Sequence, residues 1–208
     1  MKIHPKLCII YSDDSLLVAN KPAGLLAVPG RGADKQDCLA SRVQNEFADA
    51  LVVHRLDMGT SGLVVFGRGA EMQRHLSRLF RERLVVKRYV AVVEGKMESS
   101  GEINLPLAAD WPNRPKQKVD GTSGRPSLTR YRMLAHDAAT NTSRLELEPI
   151  TGRTHQLRVH MAAIGHPILG DALYGQRVAE RLLLHARWLS FAHPLSGEIL
   201  EFSCDPPF

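Results

Sequence analysis

The sequence predicts an α+β fold with a mixed, mostly antiparallel central sheet and flanking helices and loops. Three observations carry this. Short runs rich in Val, Ile and Leu outnumber the helical patterns and do not alternate with them strictly, as a doubly wound parallel sheet would require. Apolar residues recur at helical spacing in three stretches, residues 37–48, 70–82 and 151–165. LTRYRMLAHD and SRLELEPI, separated by a short polar segment, read as a hairpin pair.

The elements follow in order. KLCIIYSDDSLLVANKP reads as two short strands joined by a Ser-Asp-Asp-Ser turn. DCLASRVQNEFA sets Leu39, Val43 and Phe47 at helical spacing, and GLVVFG is a short buried strand. Over residues 70–82, Met72, Leu76, Leu79 and Phe80 make one apolar stripe with the arginines largely off it. LVVKRYVAVVEG is a strand rich in β-branched residues, and GEINLPL is another, ended by Pro106. Residues 110–126, punctuated by Pro and Gly, read as an irregular basic loop. In TGRTHQLRVHMAAIG, Leu157, Met161 and Ile164 share one helical face. Thr154 is its N-cap candidate and Gly165 its C-terminal cap. RLLLHARWLSFAH and GEILEFSC are the last strands.

A chain of 208 residues can bury a full core, and residues 1–208 are expected to form a single domain. Apolar residues at 44% and charged residues at 24% fit a soluble globular protein, and no apolar run reaches the length of a membrane span. MKIHPKLCIIYSDD has no leader pattern, so the cytoplasm is the expected location. Cys8, Cys38 and Cys204 are scattered without a C-x-x-C, which speaks against disulfides and a thiolate metal site. The formal net charge is +5, and its distribution is uneven. Arg68, Arg74, Arg78, Arg81, Arg83, Lys87 and Arg88 are opposed only by Glu71 and Glu82, and NRPKQK adds Arg114, Lys116 and Lys118. Such clusters suit a phosphate backbone; a solvated helix face and an exposed loop are the plainer reading.

The densest chemistry is VVHRLDMGTSGLVVFG, with His54, Arg55 and Asp57 at the mouth of a strand. Asp57 reads either as an aspartate closing a turn with Arg55 as surface partner, or as a carboxylate kept ionised by that cation for nucleophilic or base chemistry. Gly59 and Gly62 would let a substrate approach the backbone closely. ITGRTHQLRVH is the second concentration, with Arg153 able to reach an anion from a helix start. His155 and His160 at i, i+5 do not share a helix face, so no metal is expected. No phosphate-cradling Gly loop or G-x-S-x-G elbow occurs. Tyr89 shares a strand face with Lys87 and suits stacking on a nucleobase, although a strand Tyr also serves a core.

HRLDMGTSGLVV resembles the signature of the RluA family of RNA pseudouridine synthases. NKPAGLLAVPG, LFRERLVVKRYVA, ITGRTHQLRVH, HPILGDALYG and RLLLHA continue the resemblance in order, from Asp14 to Phe202. LPLAADWPNRPKQKV is similar to the subgroup that modifies position 746 of 23S ribosomal RNA and position 32 of certain transfer RNAs. The resemblance implies the pseudouridine synthase fold and isomerisation of uridine without a cofactor or metal. Asp57 would be the catalytic aspartate and Arg153 its partner. Arg55 would enter the RNA stack as the uridine flips out, and Tyr89 would stack on the flipped base. Leu183 or Leu184 would line the pocket. His54, Arg78, Arg81, Arg83, Arg114, Lys116 and Lys118 are the further RNA-contact candidates, with Arg74 on the same helix. The expected partners are rRNA and tRNA stem-loops, with no membrane, no protein partner and a monomeric chain. No S4-type RNA-binding domain is expected, so the catalytic domain's own cations would supply RNA affinity. Two alternatives remain at this point: a non-catalytic RNA-binding module on the same fold, which would not need Asp57, and a base-excising glycosidase, which would release free uracil.

Overall fold

The computed structural model describes residues 7–208. Residues 1–6, part of the segment read above as lacking a leader, lie outside the described residues. In chain order the elements are β1 (Ile9–Ser12), β2 (Leu16–Lys21), α1 (Leu39–Glu46), β3 (Ala50–Val52), β4 (Ser61–Arg68) and α2 (Gly69–Arg81). Next come β5 (Val86–Glu94), β6 (Ser100–Asn104), β7 (Leu107–Ala109), β8 (Gln117–Val119), β9 (Leu128–Asp137) and β10 (Thr142–Pro149). The last are α3 (Gln156–Ala163), β11 (Leu184–Ala192) and β12 (Ile199–Ser203). This is the expected α+β pattern, with antiparallel pairing throughout the registers below. Among the described residues, no helix is long and apolar enough to cross a membrane. The chain divides into two compact units: one runs up to Val86 and includes Ala186–Pro207, the other is Lys87–His185 with Phe208.

In the first unit β2 is antiparallel to β1 on one side and to β4 on the other, with Leu16 opposite Gly67 and Lys21 opposite Gly62. β3 pairs with the end of β4, and β12 lies antiparallel to β11. Both β2 and β4 are buried on both faces, which is why they read as continuous apolar runs rather than alternating ones. Leu16, Val18, Leu63 and Val65 pack with Leu76 and Leu79 of α2 and with Leu189, Phe191 and Phe202. The β1–β2 turn is held by Asp13, whose Oδ1 accepts the Ser15 and Leu16 N–H groups at 2.7 and 2.8 Å. Burial opposes ionisation of this carboxyl, but hydrogen bonds from Tyr11, Leu16 and Ser15 outweigh it and hold the group below the usual range. At the end of α2, Arg83 takes the left-handed conformation (φ 63°) and Leu84 N–H returns to Leu79 O at 2.9 Å, closing the helix.

In the second unit β10 lies between β5 and β9, antiparallel to both, and β6 extends the sheet beyond β9. The β9–β10 pair is the expected hairpin. Ala91, Val93, Leu145 and Leu147 of the sheet pack against Leu157 and Met161 of α3 and against Ile168. Three expectations are corrected here. Ile164 falls past the last turn of α3 and is exposed, so the apolar face ends at Met161. The residue before α3 is His155 in the left-handed conformation (φ 53°), and Thr154 does not cap the helix. The basic loop is not wholly irregular: β8 lies within it and pairs antiparallel with β7, Leu107 opposite Val119. Gly165 does end α3, at φ 85° with its N–H on Ala162 O.

Gly62 also departs from expectation. It has φ 114°, and a Cβ there would lie 2.6 Å from Ala186 N of β11. What approaches this glycine is the protein's own strand rather than a substrate. Gly62→Ala is expected to lower stability by at least about 2 kcal/mol, combining backbone strain with a collision against backbone that cannot give way. Gly152→Ala, at a position with open space around it, is expected to stay within about 0.5 kcal/mol. Urea midpoints of the two variants measure the contrast.

Candidate active site

In the first unit the loop 53–57 leaves β3 and leads to β4. Val53 packs on the core and Leu56 is buried, so Arg55 between them turns outward and is exposed, while Asp57 is half-buried. The loop is fixed by a residue to which the sequence reading gave no role. Lys21 is fully buried, and its Nζ donates to Pro22 O (2.9 Å), Leu25 O (2.7 Å) and Met58 O (3.1 Å). Met58 O also accepts Gly24 N–H at 2.8 Å, and Thr60 N–H closes a turn onto Asp57 O at 3.1 Å. The backbone just after Asp57 is therefore tied, through Met58 O, to the segment NKPAGLL. No strand partner is available there, and buried carbonyls need donors.

His54 has a second anchoring task. β3 stops at Val52, and beyond it the Val65 N–H of β4 donates to His54 Nε2 at 2.9 Å. The ring stacks on Phe80 of α2, with centroids 4.2 Å apart. His54 thus replaces a strand partner at the point where the loop departs. On α2, Arg74, Arg78 and Arg81 are exposed, as is Arg83 just after it. Arg68, counted with the cationic cluster, is instead engaged by Asp49 at 3.0 Å and by Asp13 O.

In the second unit Arg153 lies in the turn before α3. Gln156 organises this turn with all of its hydrogen-bonding capacity. Its Oε1 accepts from Thr151 Oγ1 (2.7 Å) and from the Arg153 N–H (3.0 Å). Its Nε2 donates to Leu128 O (2.9 Å) and Thr129 Oγ1 (3.0 Å). The Thr129 hydroxyl donates to His160 Nδ1 (2.9 Å), and His160 Nε2–H donates to Leu105 O (3.0 Å). Every bond in this chain has one donor and one acceptor when His160 is neutral. Burial pushes its imidazole below the usual histidine value, in the same sense.

His155 and Arg158 meet the segment GDALYG. Arg158 and Asp171 form a buried two-point pair, both bonds 2.7 Å. Burial alone would raise the Asp171 carboxyl, but hydrogen bonds and charge from Arg158 outweigh it and hold the group low. Tyr174 OH accepts Gln117 N–H at 2.7 Å and lies 2.7 Å from His155 Nδ1. Both histidines that invited a metal reading thus have partners in the fold. Among the described residues, no group of three His, Cys, Asp or Glu side chains is arranged to hold a metal ion.

Arg153 itself is half-buried. Its Nε is buried without a hydrogen-bond partner, and its Nη2 lies 3.5 Å from Pro126 O. Tyr89, opposite Leu147 in the β5–β10 register, is half-buried at the margin of the core. Leu184 belongs to that core, whereas Leu183 is half-exposed. In the basic loop Arg114 and Lys118 are exposed and Lys116 is half-buried; Lys118 Nζ lies 3.2 Å from Asp120.

A protein with this antiparallel α+β fold, a carboxylate on an anchored turn and exposed arginine clusters has the features of an enzyme acting on nucleic acid. The sequence profile of the RNA pseudouridylate synthases matches residues 15–163, and the chain belongs to that family. It is 49% identical to the dual-specificity RNA pseudouridine synthase RluA of Escherichia coli K12, over 98% of this chain and 95% of the relative. It is 47% identical to the protein of the same description in Yersinia pestis, over 97% of this chain and 100% of the relative. Among solved structures, human RNA pseudouridylate synthase domain containing 1 superposes with a TM-score of 0.81 at 31% identity, covering 98% of this chain and 84% of that one. Human RNA pseudouridylate synthase domain containing 4 follows with a TM-score of 0.76 at 28% identity, covering 96% and 88%. These likenesses favour the isomerase over the non-catalytic module and the glycosidase.

Lys21→Met keeps the length of the side chain and removes its three hydrogen bonds. Buried acceptors left unmade cost about 1–3 kcal/mol each. The variant is expected to lose about 2 kcal/mol or more in urea unfolding, and its turnover on RNA should fall at least about tenfold with RNA affinity little changed. Normal turnover in the folded variant would mean that the Asp57 turn does not depend on this anchor.

Proposed function

We propose that the protein converts specific uridines of ribosomal and transfer RNA to pseudouridine, with Asp57 as the catalytic carboxylate. One observation carries the choice of Asp57: it stands half-exposed on a turn tied down by buried hydrogen bonds, beside an outward-facing Arg55 and inside the stretch matched by the family profile. The dual-specificity relatives support more than one RNA target; the resemblance of the loop LPLAADWPNRPKQKV points to position 746 of 23S rRNA and position 32 of tRNA.

The reaction breaks the bond between N1 of uracil and C1′ of the ribose, turns the base, and joins C5 to C1′. The C5 hydrogen is lost and N1 gains one, so no electrons enter or leave. Glycosidases that release their product commonly use one carboxyl to protonate the leaving group. A uracil retained in the site can leave as a stabilised anion, so a single carboxylate suffices. Water must be kept from C1′, or hydrolysis would compete.

In this reading Arg55 fills the space left in the RNA when the uridine flips out. That offsets part of an unstacking cost of a few kcal/mol. Tyr89 stacks on the flipped base, and Leu183, the more exposed of the two leucines, contacts it. Arg153 has a buried donor with no partner; an anionic group of the reacting uridine supplies the missing acceptor. His54 acts by positioning the loop. Arg74, Arg78, Arg81, Arg83, Arg114 and Lys116 are the cations for the RNA backbone, while Lys118 is partly neutralised by Asp120.

Asp57→Asn keeps the shape and removes the charge. Release of label from C5 of uridine is expected to vanish, while RNA binding stays within a few-fold. Turnover within about tenfold of the unmodified protein would remove Asp57 from the chemistry.

A further inference from the structure

Trp111 stands out among the tryptophans and tyrosines of the basic loop and its surroundings. It is 69% exposed, on a short 3-10 turn (Trp111–Asn113) between β7 and β8. A lone exposed apolar side chain is unremarkable; the way this one is held is not. The Arg114 guanidinium carbon lies 3.3 Å from the ring centroid, so a cation covers one face of the indole. The turn is closed by its own hydrogen bonds: Asp110 N–H to Lys116 O, Asn113 N–H to Asp110 O and Lys116 N–H to Asn113 O, each 3.0 Å. Asn113 Nδ2 adds a bond to Asp110 Oδ2 at 2.9 Å. Below it, β8 is fastened by Gln117 N–H to Tyr174 OH, the hydroxyl that also reaches His155, two residues from Arg153. The indole is thus displayed by an ordered loop tied to the turn that carries Arg153.

We propose that Trp111, backed by Arg114, is a stacking platform for an unpaired nucleobase of the substrate RNA, separate from the uridine that reacts. This rests on the RNA-isomerase reading above. Three features select a nucleobase. A flat ring with one face covered by a guanidinium offers a second face to a flat partner. Arg114 and Lys116 bring positive charge to the same turn for the attached phosphate. Stacking itself needs no base-edge hydrogen bonds, so an exposed indole face suffices to hold a base. The closed loop means that little ordering is required when the base arrives.

The test uses the full-length protein and a synthetic tRNA stem-loop. Trp111→Ala is expected to raise Kd and KM about 5- to 50-fold, with kcat at saturating RNA unchanged within about twofold; Trp111→Phe should keep most of the affinity. Trp188→Phe leaves Trp111 as the one tryptophan, and saturating RNA should quench its emission. Replacing loop nucleotides one at a time by abasic sites should reveal one position that weakens binding to the unmodified protein but not to Trp111→Ala. An unchanged Kd in Trp111→Ala, or unquenched Trp111 emission at saturating RNA, overturns the proposal. Binding and conversion are read separately. Trp111-dependent binding without conversion supports the platform and overturns the isomerase reading. Conversion with Trp111-independent binding does the reverse.

Discussion

A loop that carries chemistry into a protein's interior must still satisfy its backbone polar groups, and here two buried side chains meet that requirement. Lys21 gives its three N–H donors to carbonyls on both sides of a chain crossing, including Met58 next to Asp57. Gln156 accepts from Thr151 and from the Arg153 N–H in the turn before α3, and fastens that turn to β9 by donating to Leu128 O and Thr129 Oγ1. Neither loop uses a sheet ladder, and the side chains proposed to face a substrate stay clear of one. Polar anchors from below leave those side chains available. His54 solves the same problem at the end of β3, where its ring nitrogen accepts the strand N–H that β3 no longer reaches.

Much of the scaffold was legible in the sequence because burial imposes periodicity. The α2 stripe of Met72, Leu76 and Leu79, the continuous apolar runs of β2 and β4, and the β9–β10 hairpin all follow from it. The resemblance of HRLDMGTSGLVV and GRTHQLRVH to one family pointed to the two loops proposed to carry the chemistry. The anchors were not legible, for a physical reason. Lysine and glutamine are usually solvated, and full burial depends on carbonyls supplied by segments up to 37 residues away, as between Lys21 and Met58. Thr154 has the chemistry of a helix cap, but Gln156 and Thr151 already hold the turn, and His155 takes the left-handed residue instead. Gly62 was assigned to substrate access, yet the neighbour that needs the space is β11, distant in sequence.

Charge was the least legible property. A count of cations between Arg68 and Arg88 treats them alike, but Arg68 is held by Asp49, while Arg74, Arg78 and Arg81 remain exposed along α2. In the second basic segment Lys118 faces Asp120, and Arg114 lies over Trp111. Backbone N–H groups of Ser123 and Thr122, with Lys118, lower the Asp120 carboxyl to a pKa of about 2. The partner of each cation is set by tertiary structure, and that decides which of them are left for a phosphate.

The central claim is that the two loops are built before RNA arrives, and amide hydrogen exchange of the RNA-free protein tests it most directly. The relevant probes are the N–H groups of Gly24 and Thr60 around the Asp57 turn, and those of Arg153 and Gln156 before α3, each hydrogen-bonded in the structure. Protection approaching that of the β4 and β10 amides is the predicted result. Exchange of these four amides near the rate of an unstructured chain, with β4 and β10 still protected, would contradict the account: the loops would then be ordered by the substrate and not by Lys21 and Gln156.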